Sequence, residues 1–199
     1  MDRKIIREIE NESPETHWGF LPVENKVVLD LGCGLNSEFM PTPYFFIQER
    51  GAAKVIGVDP NEQSYQWYKQ NYNVHNFIIH MDYVDRIEKL EWYLKHSGAI
   101  VAKIDIEGSE ILMNAIDPKI LANFSDIAIE YHNLPCLIAV ERILSENGFQ
   151  VDYYNFPHLP IDHQGVIHGY KRVGSVTKIR STAEQFHTDE MNKWNGGQQ

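Results

Sequence analysis

Cysteine is scarce in this chain of 199 residues, which carries only Cys33 and Cys136. Two isolated thiols cannot build a disulfide scaffold, and they fit a reduced, cytoplasmic protein. No apolar run reaches the roughly 18 residues that a membrane-spanning helix needs. The opening Met1-Asp2-Arg3-Lys4-Ile5-Ile6-Arg7-Glu8 is charged and has no signal-peptide core. Positive charge is also short: 18 Lys and Arg stand against 28 Asp and Glu, a net charge of −10. That balance opposes broad electrostatic attachment to DNA, RNA or an anionic membrane, so neither nucleic acid nor membrane is expected as a partner. A small basic cluster, Lys171, Arg172, Lys178 and Arg180, reads as solvated strand ends and a turn. Internal repeats are missing.

What is present is a chain that is 43% hydrophobic and 12% aromatic, enough for one globular domain with a single core. Apolar runs with strand character fall at about 26–31, 54–58, 76–80, 99–104, 126–130, 149–155 and 165–173. Helical patterns separate the earlier ones, at about 61–71, 84–96, 108–116 and 135–147, the last stopping at Asn147-Gly148. Alternation of this kind predicts an α/β fold: a doubly wound, mostly parallel seven-stranded sheet of Rossmann-like type. The last two strands have no helix between them and are expected to form a C-terminal antiparallel hairpin. Residues 1–25 are expected to form an N-terminal helix (about 2–12) and cap segment, 26–180 the domain, and 181–199 a flexible tail containing Trp194. Prolines at Pro41 and Pro43 place a loop before, or within, the first helix after the first strand.

The segment Val27-Val28-Leu29-Asp30-Leu31-Gly32-Cys33-Gly34 carries the most chemistry. A strand delivers Asp30 to its carboxyl end, and the glycines let the backbone turn closely past a ligand. A second unit, Lys54-Val55-Ile56-Gly57-Val58-Asp59-Pro60, puts Asp59 25 residues after Gly34, near the spacing of a ribose-binding carboxylate. A dinucleotide fingerprint would need a third glycine, and Leu35-Asn36-Ser37 follows instead. Two further strands also end in acids, Asp82 and Asp105, and ligands of open α/β sheets bind beyond those ends. Cys33 reads as a small filler in the glycine loop.

The glycine loop and Asp59 together resemble the cofactor site of class I S-adenosylmethionine (SAM)-dependent methyltransferases. That resemblance implies that Asp30, Gly32, Cys33, Gly34 and Asn36 wrap the amino-acid end of SAM. It places the ribose on Asp59, beside Pro60, and the adenine near Asp82 and Tyr83, where Asp82 could also serve as a helix N-cap. The run Lys103-Ile104-Asp105-Ile106-Glu107-Gly108-Ser109-Glu110 is similar to a stretch after the fourth strand of FkbM-type O-methyltransferases. Asp126-Ile127-Ala128-Ile129-Glu130-Tyr131-His132 fits the fifth strand of that family. The glycine loop departs from the Gly-Ala-Asn-x-Gly usual there.

The resemblance implies methyl transfer to a hydroxyl of a small-molecule or sugar-like acceptor, with S-adenosylhomocysteine (SAH) as product. Asp105 is the first choice as the substrate-facing acid, acting as base or holding the methionine amino group. His132 is the better base by ordinary pKa. Glu107 is expected to orient the loop and Glu110 to complement a helix dipole. Asp105, Glu130 and Asn133 could form an oxygen-rich Mg2+ site, although no metal is assigned. His158, His163 and His168, five residues apart, do not have zinc-ligand spacing. Tyr44, Phe45, Phe46, the His17-Trp18-Gly19-Phe20 segment and 155–158 are candidates to cover the acceptor. N- or C-methylation, a non-catalytic SAM-binding protein, and a SAM-consuming lyase or aminopropyltransferase remain alternatives. A homodimer is compatible with the chain, which does not encode its oligomeric state openly.

Overall fold

A computed structural model describes residues 5–9, 13–35, 38–72 and 75–171, with the backbone alone for 5–8. Asn36, Arg172, Lys178, Arg180, Trp194 and the expected tail at 181–199 lie outside the described residues.

Eight strands form one sheet: β1 (Ile5–Glu8), β2 (Val27–Leu31), β3 (Lys54–Asp59), β4 (Phe77–Met81), β5 (Val101–Ile104), β6 (Asp126–Tyr131), β7 (Gln150–Asn155) and β8 (Gly165–Tyr170). Their spatial order is β1-β7-β8-β6-β5-β2-β3-β4. Strands β2 to β6 pair in parallel, and β8 inserts antiparallel between β6 and β7. The doubly wound sheet of seven strands and its antiparallel hairpin are therefore as expected, with β1 added at the edge. The helices are α1 (Pro14–Trp18), α2 (Thr42–Tyr44), α3 (Glu62–Asn71), α4 (Ile87–His96), α5 (Pro118–Leu121) and α6 (Leu134–Glu146). A π-helical turn, Phe45–Glu49, continues α2, and a 3-10 helix spans Ser109–Ala115. Among the described residues no helix is long and apolar enough to cross a membrane.

Alternation along each strand sends neighbours to opposite faces. Leu29, Leu31, Ile56, Val58, Ile127 and Ile129 pack with α4, α5 and α6 on one side. Val28, Val55, Val101, Ala128 and Val166 pack with α1, the π-helical turn and α3 on the other. The caps follow the local sequence: Asn61 Oδ1 accepts from Gln63 N and Ser64 N at the start of α3, and Asn133 Oδ1 accepts from Cys136 N at the start of α6. Gly148 follows α6 at φ +77°.

The N-terminal segment corrects the sequence reading. The helix expected over 2–12 is instead a strand at Ile5–Glu8, parallel to β7 and aligned with Tyr153, Tyr154 and Asn155. Ile9 N donates to Asn155 O at 2.7 Å, and Ile9 is fully buried. Three isoleucines over so short a run fit either periodicity, and the open edge of β7 offers backbone partners that a lone helical turn lacks.

The chain runs outward from β2 to β3 and β4, then returns to place β5 on the other side of β2. Successive strands therefore diverge between β2 and β5, which opens a crevice at their carboxyl ends. Gly32, at φ +77°, lies at that point, and a Cβ there would come within 1.7 Å of the Asp105 carbonyl oxygen. Gly32→Ala is expected to destabilise the protein by at least 1–3 kcal/mol, from backbone strain plus this overlap. Urea unfolding checks it; an unchanged midpoint would show that the two strand ends are not held this closely.

Candidate functional site

At the carboxyl edge of the sheet lies a cavity of about 360 Å3. Its lining includes Gly32, Gly34, Asp59, Pro60, Asp82, Tyr83, Lys103, Asp105, Glu107, Glu130 and His132. His17, Trp18 and Gln164 complete one end. Of the residues expected to bind the cofactor or act in catalysis and having described positions, all but Asp30 and Cys33 face it; of those expected to cover the acceptor, Phe20, Tyr44, Phe45, Phe46 and 155–158 do not line it, and Phe45 and Phe46 are core residues. Asp30 is fully buried behind the wall, and Cys33 packs inward, its Sγ filling the space beside Gly57.

Asp30 is held there by Lys103, whose Nζ is 3.2 Å from Asp30 Oδ1 and 3.4 Å from Asp105 Oδ2. The same ammonium donates to the Gly32 carbonyl at 2.5 Å. Trp18 roofs it, with Nζ 5.2 Å from the ring centroid. Burial opposes the Lys103 charge, but Asp30 and Asp105 outweigh burial and hold the ammonium above its usual range. Position 103 breaks an apolar strand with a cation, and this was the one sequence signal for the pair.

At the β3 end, Asp59 is nearly buried, and its Oδ1 accepts from Asn61 N at 2.8 Å. Burial raises its carboxyl above the ordinary range. A Cβ on Gly34 would stand 3.2 Å from Asp59 Oδ2, so the glycine leaves room over the carboxylate. Asp82 does not cap a helix, because α4 begins later with Arg86 at its N-cap. Its Oδ1 accepts from Lys89 Nζ at 2.6 Å and its Oδ2 from Tyr93 Oη at 3.0 Å. Tyr83 beside it is about half exposed.

The opposite end collects acids and imidazoles. His132 Nε2 lies 3.7 Å from Asp105 Oδ1, 3.6 Å from Glu107 Oε2 and 3.8 Å from Glu130 Oε1. Its Nδ1 lies 3.3 Å from Glu110 Oε1. Glu110 is fully buried and accepts from Ile106 N at 2.8 Å and Gly108 N at 2.9 Å. It therefore closes the turn after β5, the task expected of Glu107, and does more than answer a helix dipole. Glu107 itself adopts φ 55°, and its side chain is 83% exposed. Glu130 receives Gln164 Nε2 at 2.6 Å and has His17 Nε2 3.0 Å away. His17 stacks on Trp18 with ring centroids 4.2 Å apart. His17 and Trp18 were expected from the sequence only as part of a segment covering the acceptor, and both line the cavity; Gln164 carried no sequence signal, since it arrives from an unrelated segment. Asn133 is exposed and occupied with its cap, which removes it from the oxygen-rich set considered for Mg2+.

These charges set the proton affinities. Burial pushes the Asp105 carboxyl up to about 6, against the pull of Lys103 and with the Glu130 charge adding to the rise. Burial alone would lower His132, but Glu110, Glu130 and Asp105 raise it to about 9. The imidazole therefore holds its proton at neutral pH, and the ordinary pKa does not apply to it. Burial also pushes Glu130 up, yet His17, Gln164 and His132 bring it below its usual range. Proton acceptance at this end thus falls to the carboxylates.

No family model matches the chain, and no curated protein matches it in sequence. Solved structures do resemble it in fold. One is the precorrin-6y C5,15-methyltransferase of Geobacter metallireducens, 14% identical, covering 74% of this chain and 81% of that one with a TM-score of 0.50. Aeropyrum pernix fibrillarin, solved with natively bound SAM, is 16% identical and covers 75% and 68% with a TM-score of 0.51. An rRNA methylase of Streptococcus thermophilus is 16% identical and covers 77% and 90% with a TM-score of 0.50. The chain thus has the Rossmann-like fold found in SAM-dependent methyltransferases.

Two outcomes are expected. Lys103→Met leaves Asp30 as an uncompensated buried charge and should cost about 3–5 kcal/mol in chemical denaturation, part of it recovered by adding Asp30→Asn; equal stability of the single variant would contradict the pairing. His132 should titrate near pH 9 by imidazole NMR, and Glu110→Gln should move it down toward the free value of about 6.5. Because the folded pKa is raised, the associated stability is full below about pH 6.5. It is lost as pH rises through about 9. A wild-type midpoint near the free value would refute this arrangement.

Proposed function

We propose that this protein is a SAM-dependent methyltransferase acting on a hydroxyl of a small or sugar-like acceptor. The observation that carries the reading is the placement of Gly32, Gly34, Asp59, Asp82 and Asp105 around one cavity at the strand ends. Gly34 and Asp59 fit a ribose: the glycine leaves open the space that a Cβ would take over the carboxylate. Asp82 and Tyr83 flank the place for an adenine, and the loop from Gly32 to Gly34 that for the amino-acid end. Asn36 belongs to the same proposed set. Asp30 contributes from behind, through Lys103, by fixing the wall rather than by contact. When bound, SAM supplies an electrophilic methyl group on a sulfonium.

The chain's own residues would then align the acceptor and take one proton from it. Asp105 and Glu130 are the carboxylates near the acceptor end. His132 is a cation there, suited to orienting them and stabilising charge rather than to removing the proton. His17, Trp18 and Gln164 close the end and exclude water. The Lys103-to-Glu110 run supports an FkbM-like O-methyltransferase among the possible relatives. The small cavity, the carboxylates at the acceptor end and the net charge of −10 favour a small acceptor over a polyphosphate chain.

An RNA acceptor is the second reading, favoured by the rRNA methylase among the similar folds. Salt-dependent binding of a structured RNA would support it. The decisive test is calorimetric titration with SAM, SAH and NAD. Micromolar binding of SAM and SAH without NAD is expected, and Asp59→Ala should weaken SAM by about 1.5–3 kcal/mol. Binding of NAD alone, or of none of the three, would refute the proposal.

A further inference from the structure

The carboxylates around His132 have a second use. Asp105, Glu107 and His132 each offer one donor atom, all within 4.8 Å of one another, the one such grouping among the described residues. The separations from Nε2 to Asp105 and Glu107, 3.7 and 3.6 Å, exceed the roughly 2.7–3.2 Å of a hydrogen bond. They are close to the spacing of about 3.4 Å between donors that each stand about 2.0–2.1 Å from a tetrahedral metal. Behind the imidazole, Nδ1 faces the fully buried Glu110, whose two oxygens are fixed by Ile106 N and Gly108 N. A carboxylate behind a histidine, holding its other nitrogen forward, is how metal-binding histidines are commonly oriented. That buried, backbone-anchored support distinguishes the group from an ordinary set of surface acids.

We infer that Asp105, Glu107 and His132 form a site for a first-row divalent transition-metal ion, with Glu110 orienting His132. One imidazole and two carboxylates suit Mn2+, Fe2+ or Zn2+ better than Mg2+, which prefers an all-oxygen shell. The exposed Glu107 side chain is free to close the shell by a small rotation, and three protein ligands leave positions open for an acceptor oxygen. In the transferase reading the ion would hold and polarise the acceptor hydroxyl, and Glu130 would remain as the proton acceptor. That role rests on the proposed function; the site itself does not.

The test is a titration of the full chain with Mn2+, read by loss of the free-ion EPR signal, and in parallel with Zn2+ and Mg2+ by calorimetry. No cofactor is present, so metal binding and SAM binding succeed or fail separately. One ion per chain is expected, with Zn2+ tighter than Mn2+ and Mg2+ weakest. Glu107→Gln, at an exposed position that folding does not depend on, should weaken binding at least about tenfold, and Glu110→Gln by about 10–100-fold. His163→Ala should bind as the wild type does. Absence of binding at millimolar Mn2+ and Zn2+, or binding that Glu107→Gln leaves unchanged, would overturn the site.

Discussion

A single buried ammonium ties the functional edge of this protein together. Lys103 emerges from the centre of the sheet and engages Asp30, Asp105 and the Gly32 carbonyl at once. Charges removed from water must compensate one another. The ends of β2 and β5 are therefore fixed at the point where the sheet changes direction. The glycine turn can pass close to Asp105 only because Gly32 has no side chain. Trp18 reaches Lys103 from the N-terminal cap, so the roof of the cavity is attached to the same charge. Strand pairing makes the crevice, and this charge cluster gives it a rigid floor.

From that floor two chemically different ends follow. Asp59, Asp82 and Tyr83 make a polar wall with space left over a carboxylate. Asp105, Glu107, Glu110 and Glu130 surround His132 at the other end. A field so negative draws in a cation, whether a proton on the imidazole or a metal in its place. Glu110 has the central part in this: by closing the turn after β5 it aims His132, and it leaves Glu107 in a left-handed conformation at the cavity mouth.

Much of this was legible in the sequence, because parallel strands buried on both faces read as apolar runs and their last residue marks the ligand edge. Asp59, Asp82 and Asp105 were expected at the ligand edge on that ground, with the spacing of Asp59 from Gly34 and the methyltransferase resemblance beside it. What the sequence hid was long-range. Asp30 looked like its neighbours, but it is fully buried beside Lys103 on the adjoining strand β5, which is distant only in sequence. Gln164 reaches the site only through the packing of the β7–β8 loop, and His17, expected only within a covering segment, comes to stand beside Glu130. His132 was read from its ordinary pKa, which the neighbouring Glu110, Glu130 and Asp105 raise. The strand at Ile5–Glu8 could be recognised only once β7 was known to have a free edge.

The most direct measurement is a crystal structure of the protein with SAH. The ribose hydroxyls are expected on Asp59, the adenine between Asp82 and Tyr83, and the amino-acid end along Gly32 to Gly34 toward Asp105, with His17, Glu130 and His132 beyond the sulfur. An SAH molecule in the reverse orientation, or bound away from these strand ends, would contradict this placement.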